Sequence, residues 1–131
     1  MVAAACTATT VDGFVNVEVS VADQSLTVAE AVTSEQRSLG LQGLDGLPRG
    51  VDGMLFEFPE PRETSFHMRT VGFDLDIWWF DGDGVLIGTT LMEECLDGGC
   101  VSYPSPGPIT WALETEAGAF DFQEGSTLTL P

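Results

Sequence analysis

The chain has 131 residues, 44% of them hydrophobic, which suits one folded domain with its own core rather than a disordered segment. Its 21 acidic residues against four Lys and Arg give a net charge of −17, which excludes DNA, RNA and anionic lipid as direct partners, since phosphate binding needs clustered basic side chains. No run of about 18 apolar residues is present to form a membrane-spanning helix.

The start, MVAAACTATT, places small residues before Cys6, as at the cleavage end of a bacterial lipoprotein signal. That predicts a lipid on Cys6 and a secreted or cell-envelope location, with the membrane reached only through that lipid. Residues 1–12 read as a disordered tail and 13–131 as a single β domain. From Phe14 to Val21 apolar and polar residues alternate, with Val15, Val17, Val19 and Val21 on one face of a half-buried strand. ADQS (22–25) is a turn and 26–32 a second strand. Thr33 followed by Gln36 is a capping box, so a helix is expected over about 34–42, with Gly40 packed closely against a strand.

A Gly-rich loop occupies 43–52. Strands are expected at 53–58, 63–69, 73–81, 84–91, 108–115 and 126–130. The proline stretch PEPR (59–62) reads as a turn and DGDG (81–84) as a hairpin turn; the latter lacks the further oxygen ligands of a calcium loop. The longest loop, 92–107, contains CLDGGC, where Cys95 and Cys100 predict a small disulfide ring. About eight strands and one short helix give a mainly β fold, an antiparallel sandwich or distorted barrel.

All the Arg residues and the lone His67 fall between residues 37 and 69. An antiparallel pairing of 66–69 with 74–77 would set Met68 against Leu75 and Phe66 against Ile77 toward the core, with Trp79 on the same side. It would also set Arg69 against Asp74 and His67 against Asp76 outside, beside Trp78. His67, Arg69, Asp74, Asp76 and Trp78 are therefore the candidate ligand-binding residues, with Arg69 for an anion and Trp78 as a stacking platform. Cross-strand ion pairing alone also accounts for them. No nucleophile motif accompanies His67, and no metal or cofactor is implied.

The segments RSLGLQGL (37–44), GMLFEF (53–58), SFHMRT (65–70), LDIWWFD (75–81), the Cys95/Cys100 pair near Tyr103, and WALE (111–114) with the following Gly118 resemble, in order, the bacterial and archaeal domain of unknown function number 192. The chain departs from the family pattern at Gln42, His67 and Asp74, where Met, Trp and Pro are usual. The resemblance implies a compact, often exported β sandwich and carries no activity. The sequence thus reads as a non-enzymatic envelope module binding a saccharide, a carboxylate or another envelope component. A hydrolase or lyase using His67 and Asp76, or a purely structural domain, are the alternatives.

Overall fold

The computed structural model describes residues 9–131. Cys6, the expected lipidation site, therefore lies outside the described residues. Among the described residues, nine strands and one helix follow in the order β1 (Val15–Val21), β2 (Gln24–Ala31), α1 (Ser34–Leu39), β3 (Gly53–Arg62), β4 (Ser65–His67), β5 (Leu75–Phe80), β6 (Leu86–Met92), β7 (Ser102–Pro104), β8 (Ile109–Glu116) and β9 (Leu128–Thr129). Seven of the strands form a curled half-barrel sheet in the order β6-β5-β8-β3-β2-β1-β9, and β4 and β7 form a separate pair. The far edges meet: Leu128 donates its N–H to the Gly84 carbonyl (2.8 Å), and Leu86 donates to Ser126 (2.8 Å). The mainly β expectation holds, in its barrel-like form.

Local chemistry accounts for the first elements. Ala22 and Asp23 both take positive φ (51° and 67°), as a two-residue hairpin turn requires, so Val21 pairs directly with Gln24. The Thr33 hydroxyl accepts from the Gln36 N–H (3.1 Å), and the Gln36 side chain accepts from the Thr33 N–H (3.1 Å), completing the capping box. The helix stops three residues earlier than expected, because Gly40 turns to φ 51° as its C-cap. A Cβ on Gly40 would lie 3.4 Å from the Phe56 ring, so the close approach to a strand is real. This helix carries the chain across to β3, which pairs parallel with β2.

The sheet is buried on both faces. On one, Val19, Leu26, Leu55, Trp78, Phe80 and Leu113 pack together with Phe122 from the C-terminal segment; this is the Leu55 face. On the other, Ala29, Met54, Phe56, Leu75, Ile77, Trp79 and Ala112 pack beneath Leu41 and Val71; this is the Phe56 face. Full burial of each large apolar side chain contributes about 2–3 kcal/mol. Val11, expected in a disordered tail, is buried with Phe14 on the Phe56 face. Val15 is 69% exposed, so the alternating stripe of β1 is buried only at its far end.

Two expectations are corrected. PEPR is not a turn: β3 runs on to Arg62, and a bulge between Glu57 and Arg62 leaves Pro59 and Pro61 without ladder partners, where a missing N–H costs nothing. The hairpin pairing 66–69 with 74–77 is absent. β4 pairs with β7, setting Phe66 opposite Tyr103, while β5 lies between β6 and β8. The segment between β4 and β5 is held by the disulfide loop instead. Thr70, at φ 60°, donates its N–H to the Cys95 carbonyl (2.9 Å), and the Cys95 N–H donates to Val71 (3.1 Å). Residues 70–73 therefore cannot close a hairpin.

Candidate functional site

The five residues grouped from sequence do not assemble. Trp78 is only 4% exposed; it lies on the Leu55 face and donates its Nε1–H to the Thr115 hydroxyl (3.0 Å). Asp76 alternates with Leu75 and Ile77 of the Phe56 face, so it points to the Leu55 side, where it accepts from the Gly118 N–H (2.9 Å). Asp74 accepts from the Glu94 N–H (2.8 Å). These carboxylates fasten turns. Arg69 is exposed beside Cys95. His67 sits on β4, which covers the Phe56 face, and so lies across the sheet from Asp76.

His67 does line a cleft of about 330 Å³ between α1, the end of β3 and β4. Its walls are Leu41, Phe56, Phe58, Phe66 and Val71. The aromatic wall is rigid: the Phe66 ring meets Phe56 edge-on at 4.9 Å and Trp79 at 5.5 Å. Gly40 makes room for Phe56 from the helix side.

Two arginines stand at the mouth. Arg37 comes from the last turn of α1. Its Nη1 donates to the carbonyls of Val32 (2.6 Å) and Glu57 (3.0 Å), which holds the guanidinium 5.1 Å from the Phe58 ring centre. Arg62, from the end of β3, lies 5.4 Å from the same ring. Such cation–ring contacts contribute about 0.5–1 kcal/mol each at exposed sites. Among the described residues the Nη2 and Nε of Arg37, and the whole Arg62 guanidinium, have no hydrogen-bond partner. His67 Nδ1 accepts from the Arg69 N–H (3.2 Å), so the neutral ring carries its proton on Nε2 and offers a further donor.

The floor holds Glu114 of β8, which sits between Met54 of β3 and Ile77 of β5 on the Phe56 face. It is 4% exposed, and its side chain lines the cleft. Burial pushes its pKa up to about 8, so at neutral pH it is mostly a carboxylic acid. The backbone here is tight as well: a Cβ on Gly53 would lie 2.2 Å from the Glu114 carbonyl oxygen, which only glycine avoids.

The cleft thus joins residues that sequence reading left out of its candidate set, Arg37, Arg62 and Glu114, to His67. The signal for Glu114 was a lone acid inside the apolar run ITWALET. Cys95 and Cys100 form a disulfide beside a second hollow of about 170 Å³. Among the described residues no cluster of three or more metal-ligating side chains occurs, and no helix is long and apolar enough to cross a membrane.

Comparison with known proteins gives a family and a fold. The family described as "Uncharacterized ACR", DUF192, matches residues 15–130. The crystal structure of a protein from Sinorhizobium meliloti 1021, described as a "putative transcription regulator", is similar at a TM-score of 0.74 and 26% identity, over 88% of this chain and 93% of that one. A protein of unknown function from Novosphingobium aromaticivorans DSM 12444 is similar in fold at a TM-score of 0.77 and 22% identity, over 93% of this chain and 90% of that one. No curated protein matches the sequence.

Proposed function

The chain belongs to the DUF192 family, and from that premise we propose that it is an exported, non-enzymatic module that captures a small ligand in the cleft between α1, β3 and β4. The observation that carries this reading is Glu114. An acid set among Met54 and Ile77, with its carboxyl facing only the cleft, is poorly explained by stability alone. At the floor of an aromatic-walled cleft it gains a purpose, because a ligand can take the hydrogen bond that the carboxyl offers there. The Cys95–Cys100 disulfide supports an oxidising location outside the cytoplasm. Direct nucleic-acid contact is not part of the reading, despite the description given to one structural neighbour, because 21 acidic residues face four basic ones.

The test is a thermal-shift panel of carboxylates, saccharides and divalent ions on the wild type, Glu114→Leu and the double variant Arg37→Met/Arg62→Met. Replacing the buried acid by Leu should raise the melting temperature of the ligand-free protein. At least one panel compound should stabilise the wild type and lose its effect on Glu114→Leu. A purely structural domain would show the first result without the second. If no compound moves the wild type, or all variants respond alike, the cleft is not a ligand site.

A further inference from the structure

Building on that reading of the cleft, we infer its ligand class: a small organic carboxylate with an apolar body and, at its far end, a neutral hydrogen-bond acceptor. The carboxylate lies against Arg37 and Arg62, and the acceptor faces the Glu114 carboxyl.

Charge decides the outer end. Three of the five residues in this chain that can carry positive charge, Arg37, Arg62 and His67, line this one cleft. Arg37 is held in place by two backbone carbonyls, which leaves its remaining guanidinium N–H groups as a pre-oriented donor set. The surrounding charge of −17 opposes multiply charged anions, so a single carboxylate fits better than a phosphorylated ligand.

Apolar walls decide the middle. Phe56 and Phe66 lie between the arginine end and the floor, and a charged group there would lose its water without compensation. From Met54, beside Glu114, to Phe58, beneath the arginines, is four residues of β3, about 13 Å along the strand. The Glu and Arg side chains reach into that gap. The cleft's volume is at the lower end of the range for small-molecule sites, which limits the body to about one ring or a short chain.

Chemistry decides the inner end. The Glu114 carboxyl offers an O–H where Met54 and Ile77 surround it. A ligand carbonyl or ether oxygen takes that proton as a hydrogen bond with no change of ionisation. A ligand ammonium would instead require Glu114 to ionise in the same apolar surroundings.

Isothermal titration of the wild type at pH 7 with four matched probes tests this. 4-Acetylbenzoate carries both features. 4-Acetylbenzamide lacks the negative charge, 4-isopropylbenzoate lacks the acceptor, and 4-(aminomethyl)benzoate replaces the acceptor by an ammonium. 4-Acetylbenzoate should bind at least about tenfold more tightly than each of the others. Glu114→Gln, whose amide still donates, should keep that order, whereas Glu114→Leu should bind the acetyl and isopropyl probes alike. If the amide or the ammonium probe binds as well as 4-acetylbenzoate, and binding still weakens in Glu114→Leu, the ligand class is wrong while the cleft remains a site. If no probe binds the wild type, the ligand class is overturned, and the thermal-shift panel decides separately whether the cleft binds anything.

Discussion

Replacing Glu114 by Gln isolates the one ionisable group among the described residues that the fold perturbs strongly. The carboxyl has an ordinary value of 4.5 and is pushed up to about 8 by burial. Arg37, Arg62 and His67 are the other charged or titratable side chains lining its cleft, and none of them overcomes the effect of burial. The folded protein therefore keeps a proton that the unfolded chain releases above pH 4.5. Each pH unit between 4.5 and about 8 then favours the unfolded chain by about 1.4 kcal/mol. This contribution is fully present below pH 4.5, is lost as pH rises through the window, and is constant above it. Glu114→Gln has no such proton, and its other titrations match those of the wild type. The stability of the variant minus that of the wild type should thus grow by roughly 5 kcal/mol between pH 4.5 and 9. That is a large share of the stability of a domain of this size. Urea unfolding of both proteins at intervals of one pH unit, under non-reducing conditions, reads the difference. A difference that stays constant within about 1 kcal/mol would refute a protonated, buried Glu114.

Binding should follow the same proton: the affinity for 4-acetylbenzoate, measured by titration calorimetry, should fall as pH rises past 8, where Glu114 can no longer donate. Thr115→Val should cost about 1–3 kcal/mol in denaturant unfolding, because it strands the buried Nε1–H of Trp78 while preserving side-chain shape. Cys95→Ser/Cys100→Ser should cost about 2 kcal/mol, as expected for so short a ring. A reducing agent should lower the wild type to the stability of that double variant and leave the variant unchanged.

Local patterns were legible where the chemistry is local. The capping box at Thr33 and Gln36, the turns at 22–25 and 81–84, and the disulfide ring all follow from short-range residue choices. The alternation also gave the right inward set, since Phe66, Met68, Leu75, Ile77 and Trp79 all join the core of the Phe56 face. The pairing of those segments was not legible. Opposite charges at matching positions suggested that β4 and β5 face each other, but their partners come from residues 86–92, 102–104 and 109–116. Such distant segments leave no mark in the local pattern.

A single polar sheet face would put Trp78 outward, but both faces are covered. The run LDIWWF is apolar at both parities, which is the mark of a sheet covered on both sides. The covered faces also set Glu114 apart. In a sheet with a wet face, a glutamate in a strand is ordinary; in one buried on both faces, it must be protonated, paired or functional. Arg37 and Arg62 come together on Phe58 only because α1 crosses over β3, a tertiary event.

The most direct test of a ligand site between α1, β3 and β4 is an amide-resolved NMR titration with 4-acetylbenzoate. Saturable shifts should concentrate at Arg37–Gln42, Phe56–Phe58, Ser65–His67 and Glu114, and should be lost in Glu114→Leu. Shifts centred instead on the hollow beside Cys95 and Cys100, or no saturable shifts at all, would contradict it.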